Sequence, residues 1–477
     1  MATLVGAGML NAVQQQAKTL VHRSLDRHVR LAVTGLSRSG KTAFITALVH
    51  QLQQLDLTVS LPHWQVVQSG RWIGGRQVPQ RYHHIPTFQF DAAKAAILAT
   101  PPTWPAPTRA VSEIRLELRY HSGSLLRRHV GQSLGTLYLD IVDYPGEWLL
   151  DLPLLALNYQ QWSQQVTEQL ARPQVASLAQ DWAQGCRVLD PSAPFDEQRL
   201  APLVAAYKAW LLDCRYKLGL SLIQPGRFVL PGEHEGAPVL QFIPWVGAQP
   251  TGSAAKGSVY AMLEERYEHY KQHLVKRFYQ EHFSTFDRQI VLVDCLQTLC
   301  AGPQAFDDLE QTMAQLLGSF HYGRNNWLQR LFAPRIDKLL FVASKADHVT
   351  PEQHGALQQL LRQLVYTGYG QARFEGIDIH CLAMASVMAS RYLQAEWQGQ
   401  TLPVLQGVSQ EGAPVRLFPG AVPAGRPDLA FWQRQSADPE HGFGLVPLRP
   451  PVLPAHAPWP NIRMDAALEF LLGDKML

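Results

Sequence analysis

Charge is scarce in this chain of 477 residues, and it is evenly split. Charged side chains make up 17%, with 42 Lys+Arg against 39 Asp+Glu and a net charge of +3. That balance gives no electrostatic reason to propose a nucleic-acid partner. Cysteine is scarcer still. Cys186, Cys214, Cys295, Cys300 and Cys381 are odd in number and form no C-x-x-C pair. They read as free, mostly core-filling thiols of a reducing cytoplasm rather than as disulfides. Long apolar runs are missing, so no segment has spanning length. The first ten residues, Met1 to Leu10, lack the charged start of a signal peptide. There is no internal repeat, and no motif supports a serine or cysteine nucleophile. His269 and His273 stand one helical turn apart, but no Glu follows His269 as zincin chemistry needs, so a solvated helix face is expected. What the chain does have is 46% hydrophobic residues, enough for a sizeable core and more than one domain.

It also has Gly35-Leu36-Ser37-Arg38-Ser39-Gly40-Lys41-Thr42, a complete G-x-x-x-x-G-K-[ST] phosphate loop. The apolar run Arg30–Thr34 before it reads as a buried strand, and Ala43–Val49 after it has helical spacing. Gly35 and Gly40 let the backbone turn its N–H groups inward around phosphate oxygens, joined by those of Ser37, Arg38, Ser39 and Ala43. The helix start adds positive potential. Lys41 is expected to neutralise β- and γ-phosphate charge, and the Thr42 hydroxyl to bind Mg²⁺. Arg38 either adds positive charge or points to solvent.

A second strand, Gly135–Val142, ends in Asp143-Tyr144-Pro145-Gly146-Glu147. Asp143 can hold Mg²⁺ through water, and the Gly146 N–H can sense the γ-phosphate, as in the D-x-x-G switch of GTPases. Gln289–Asp294 is a rival strand ending in aspartate, but no glycine trails it, so Asp294 is expected to cap a helix. Glu147 stands where many GTPases carry a water-positioning glutamine. A carboxylate accepts a proton but cannot donate as an amide does, so Glu147 is either a weak catalytic group or a solvated charge. For the first switch, Thr108 after Trp104-Pro105-Ala106-Pro107 is the candidate Mg²⁺ ligand, with Ser112 and Thr87 as alternatives.

A later strand, Asp337–Ala343, runs into Ser344-Lys345-Ala346-Asp347. An aspartate there would accept from guanine N1–H and N2–H₂, donors that adenine lacks on that edge. The Lys345 stem can cover the purine while its ammonium reaches back to the phosphate loop. Ser344 keeps a bracing hydroxyl. After the strand Ile377–Ala383, Ala385 and Ser386 are the expected backbone contact to guanine O6.

These motifs place a mostly parallel α/β sheet of the P-loop, GTPase-like type flanked by helices. The expected divisions are an N-terminal amphipathic helix over 1–27, which packs on the nucleotide domain or lies on a membrane surface, a nucleotide domain split between 28–150 and 287–392, a mainly helical insertion over 151–286, and a Pro/Gly-rich C-terminal extension over 393–477. Within it, Ser258–Phe283 reads as one long helix, Thr401–Arg416 as a hairpin and Pro447–Pro460 as an extended surface run. Trp64, Trp72, Tyr82 and Phe88 are expected to form a small satellite core.

The phosphate loop, Arg81–Pro86, Trp104–Thr108, Asp143–Trp148 and Ser344–Asp347 together resemble the YcjX-like family of bacterial P-loop proteins, over essentially the whole length. The resemblance implies a stress-associated, nucleotide-binding protein, often labelled ATPase; the base-reading motif argues for GTP/GDP with Mg²⁺. Family members tend to be encoded beside an inner-membrane protein, so the resemblance implies a protein effector of that kind and a cytoplasmic place, peripheral at the inner membrane. The alternatives are a P-loop ATPase and a non-hydrolysing nucleotide-dependent scaffold.

Overall fold

The structure is a computed structural model that describes residues 28–36, 39–123, 134–248, 254–319, 336–374, 377–397, 400–437 and 443–476. The expected helix over 1–27 lies outside them.

Strands β1 (His28–Gly35), β2 (Trp72–Val78), β3 (Ser112–His121) and β4 (Leu134–Asp143) come before a long helical stretch. Strands β5 (Arg288–Val293), β6 (Lys338–Ala343) and β7 (Asp378–Ala383) come after it. All seven form one sheet in the order β2-β3-β4-β1-β5-β6-β7. It is parallel from β4 through β7, and antiparallel at β2 and β3. The fold is therefore the α/β, GTPase-like P-loop type that the motifs predict. Every residue of β5 is buried, as the continuous apolar reading of a central parallel strand requires.

Alternation along the strands divides the core. Val29, Leu31 and Val33 of β1 join Ile290 and Leu292 of β5 on one face, under α1 (Lys41–Leu52). Ala32, Val291 and Val293 face the other layer. That layer holds the helices between β4 and β5, including α2 (Tyr159–Gln169), α3 (Glu197–Tyr216), α4 (Val259–Tyr270) and α5 (Lys276–Glu281). Later helices, α6 (Cys295–Ala301), α7 (Pro303–Ser319) and α8 (His354–Phe374), complete it. The expected long helix over Ser258–Phe283 is interrupted. A π turn, Lys271–Val275, links α4 to α5 and rotates the apolar stripe, so Leu274, Val275, Phe278 and Tyr279 are all buried.

Three expectations need correction. Trp64, Trp72 and Phe88 are no satellite: they belong to the main core beneath β1, β3 and α1. Tyr82 lies on the opposite layer, with the Arg30 guanidinium 4.4 Å from its ring. The C-terminal stretch is not only an extension. The hairpin forms as β9 (Gln400–Val408) and β10 (Pro414–Leu417), and β8 (Arg391–Trp397) adds a third strand to it. The chain then returns. Trp459, in the run expected to lie on the surface, is fully buried, stacks on His50 and accepts from Gln51 Nε2. Helix α9 (Met464–Leu472) places Met464, Leu468, Leu471 and Leu472 against the β1/α1 face. Its apolar spacing supplies the stripe that the face needs.

Leu468 is 2% exposed. Leu468→Ala should lower unfolding free energy by about 2–4 kcal/mol in a denaturant titration, the range for a buried leucine that leaves a cavity. A change below about 0.5 kcal/mol, the range of ordinary surface substitutions, would mean α9 is not part of the core.

Candidate nucleotide site

Parallel pairing brings the ends of β1, β4, β5 and β6 to one edge. At the end of β1, Gly40 adopts φ +84°, a left-handed turn that glycine allows, and α1 begins at once. No side chain caps α1 and its first turn carries no acid, so its first N–H groups keep the positive potential of a helix start unopposed. Ser39 Oγ is buried and has no partner among the described residues. Ser37 and Arg38 lie outside those residues.

Four side chains meet beside this loop. Lys41 Nζ is 2.9 Å from Asp143 Oδ1 and donates to the Tyr144 carbonyl. The Thr108 hydroxyl donates to Asp143 Oδ2. Thr42 Oγ1 and Thr108 Oγ1 are 3.3 Å apart. Thr42, Thr108 and Asp143 thus form a compact set of hard oxygen donors, the chemistry Mg²⁺ selects when phosphates supply the remaining ligands. Among the described residues no group of three His, Cys, Asp or Glu side chains forms a metal cluster. Of the alternatives, Ser112 pairs with Asp143 in strand register, while Thr87 bonds to Gln80.

Gly146 touches the phosphate-loop strand directly: a Cβ on it would lie 2.3 Å from the Gly35 carbonyl oxygen. Glu147 is not a solvated charge. It is 5% exposed, and its carboxylate is 2.5 Å from Arg215 Nη2 on α3. The 3-10 segment Gly146–Ala156 then locks into the helical stretch. Trp148 Nε1 donates to the Leu230 carbonyl at 2.9 Å, and the Arg227 guanidinium stacks 3.2 Å from a Trp148 ring centroid. Asp151 is buried and accepts from Gly226 N–H at 2.7 Å and from the Tyr270 hydroxyl. Burial pushes its pKa up to about 7 against the opposing pull of those donors.

At the end of β6, Lys345 takes φ +61°. Its ammonium pairs with Asp294 at 2.5 Å rather than with a described phosphate-loop atom, while Asp294 caps α6 by accepting from Gln297 N–H. Ser344 Oγ donates to the Val293 carbonyl at 3.3 Å. Asp347 is 4% exposed. Its Oδ2 accepts from Ala389 N–H at 2.7 Å, and His348 Nδ1 lies 3.3 Å from Oδ1. Burial raises its pKa, but His348 and the Ala389 N–H outweigh burial and hold it below the usual carboxylate range. The Ala385 N–H donates to the Ile462 carbonyl at 3.2 Å, and Ser386 beside it is half-buried.

The family model described as the YcjX-like family matches residues 29–476. The chain belongs to the YcjX-like family. "Ras-like GTPase YcjX" of Escherichia coli (strain K12) is 49% identical over 98% of this chain and 100% of its own length. "Ras-like GTPase YcjX" of Shewanella oneidensis (strain MR-1) is 40% identical over 98% of each.

In this YcjX-like chain the sequence reading missed the second Ala-Ser pair. Met384-Ala385-Ser386-Val387-Met388-Ala389-Ser390 carries two, and it is Ala389 and Ser390 that bond to Asp347. The repeat was the available signal. Arg215, Arg227 and Tyr270 gave none, because each meets the switch segment only through tertiary folding. Trp104 Nε1 donates to the Leu448 carbonyl at 2.7 Å, tying the Thr108 segment to the C-terminal stretch. No helix among the described residues is long and apolar enough to cross a membrane.

The raised pKa of Asp151 has a definite sign. The folded state binds its proton more tightly than the unfolded state does. Its contribution is therefore most favourable below the unfolded pKa near 3.8 and is lost as pH rises toward about 7. Asp151→Asn should remove that component, flattening stability against pH between those values by about 1.4 kcal/mol per unit at the steepest. Parallel wild-type and variant curves would show that Asp151 is ionised throughout.

Proposed function

We propose that this chain binds GTP with Mg²⁺, hydrolyses it to GDP and phosphate, and transmits the change through its helical stretch. The observation that carries the reading is the Lys41–Asp143–Thr108–Thr42 chain beside an uncapped helix start. Backbone N–H groups of the loop and of α1 would surround the phosphates. Lys41 would leave Asp143 for β- and γ-phosphate oxygens, and Ser39 Oγ would gain the partner it lacks. Thr42 and Thr108 would hold Mg²⁺ directly and Asp143 through water. The bound ion would offset the charge developing on the transferred phosphoryl group. Water would attack the γ-phosphate in line, with Lys41 and the loop N–H groups stabilising the charge. Gly146, against Gly35, would offer its N–H to the γ-phosphate and lose that bond on hydrolysis.

Guanine preference is supported by Asp347 at the end of β6 and by the names of the two relatives. Ala389 occupies one lone pair of Oδ2 and His348 faces Oδ1, and an ionised carboxylate has roughly four acceptor positions. The rest suit guanine N1–H and N2–H₂. The stress association and an inner-membrane protein effector belong to the same proposal.

A second reading, a nucleotide-dependent scaffold with little hydrolysis, draws on one observation. Glu147, at the position of the water-orienting glutamine, is engaged in a buried ion pair.

Affinities for fluorescent GTP and ATP analogues, with phosphate release, test both. The wild type should prefer GTP, and Asp347→Asn should shift preference toward xanthine nucleotide by about 10²-fold, since a mismatched buried polar edge is costly. ATP binding that is equal or stronger and indifferent to the substitution would leave a P-loop ATPase. Background phosphate release with tight GTP binding would select the scaffold. Thr108→Ala should weaken Mg²⁺-dependent GTP-analogue binding more than GDP binding; equal weakening would remove Thr108 from the Mg²⁺ site.

A further inference from the structure

We propose that Arg215 is a positioning residue for γ-phosphate recognition. Through Glu147 it fixes the Gly146 N–H against the phosphate loop, so that the helical stretch takes part in telling the triphosphate from the diphosphate. The inference rests on the guanine-nucleotide reading above and extends it to a residue far from the phosphate motifs in sequence.

The Gly146-Glu147 dipeptide is clamped from two sides. On one side Gly146 abuts the Gly35 carbonyl, where a Cβ would come within 2.3 Å. On the other, Gly226 of the helical stretch abuts the Glu147 carbonyl, where a Cβ would come within 2.1 Å. The Glu147 side chain supplies the third hold. Its carboxylate lies 2.5 Å from Arg215 Nη2, with the two side chains 7% and 9% exposed. Poor solvent access leaves this attraction little screened, and a guanidinium holds a carboxylate with directional donors that a lysine lacks. A γ-phosphate that draws the Gly146 N–H toward it therefore works against, or with, the placement of α3.

This assigns a role to the carboxylate that replaces glutamine. An amide at 147 could not form this ion pair. Glu147 is an anchor, and Arg215 is what it is anchored to. Linkage makes the effect reciprocal: a partner that moves α3 changes triphosphate affinity by the factor with which the triphosphate changes partner affinity.

The test measures binding of a non-hydrolysable GTP analogue and of GDP to the full chain with Mg²⁺. It compares wild type, Arg215→Gln, Glu147→Gln and the double variant. Each single variant should cut the analogue-to-GDP affinity ratio about tenfold, with GDP affinity held, and the double should be no worse than either single. Arg215→Lys, which keeps the charge, should lose part of the ratio and stands in if the Gln variant fails to fold. Equal losses for both nucleotides, an unchanged ratio or additive singles would overturn the proposal. Failure of the guanine reading appears separately, in the wild type: if it prefers adenine nucleotides, the ratio is read with the ATP analogue and ADP. A wild type that binds neither purine overturns both.

Discussion

Everything at the nucleotide end depends on the parallel pairing of β1 with β4. Val33 lies opposite Asp143, so the two strands release their loops side by side. Lys41 can then reach Asp143, and Gly146 settles on the Gly35 carbonyl with no room for a side chain. A slip of one residue would turn Asp143 to the other face and separate the groups. The antiparallel neighbour β3 completes the arrangement, since its first residue, Ser112, pairs with Asp143 and holds the Thr108 segment nearby.

The helical stretch is attached to this edge by polar contacts set among apolar ones. Glu147, Asp151 and Arg227 are buried, and each is bonded to a residue across the junction or stacked on one. Apolar packing alone tolerates sliding, whereas directional bonds fix a register. The loop Ser344–Asp347 is held in the same way from the other side. Asp347 bonds to Ala389 and Ser390, and Trp104 reaches the Leu448 carbonyl near the small sheet. The Thr108 segment is thus held to the C-terminal stretch, while the segment after Gly146 is held to the helical stretch.

Much of the fold was legible in the chain itself. β1, β4, β5, β6 and β7 are apolar runs with turn signals at their ends, and each carries its motif at the end the sheet brings together. Thr108, at the end of the proline-rich chain before β3, stands beside Asp143. The environment of Glu147 was not, since its partner Arg215 lies on a helix whose sequence gives no sign of what it faces. The pairing of Ala385 with Ile462 gives no sequence signal either, since the two lie far apart in the chain. The aromatic run after α1 looked like a local cluster because sequence distance hides that β2 is an edge strand of the main sheet.

Helix α9 closes the face formed by β1 and α1, yet it follows both of them by several hundred residues. At about 5–20 residues per second, the phosphate loop emerges from the ribosome roughly 20–80 s before the helix that covers its supporting strand. During that interval Leu31, Leu48 and their neighbours have an incomplete cover. A chain cut short anywhere before Met464 would therefore leave the β1/α1 face without this cover and display an apolar surface.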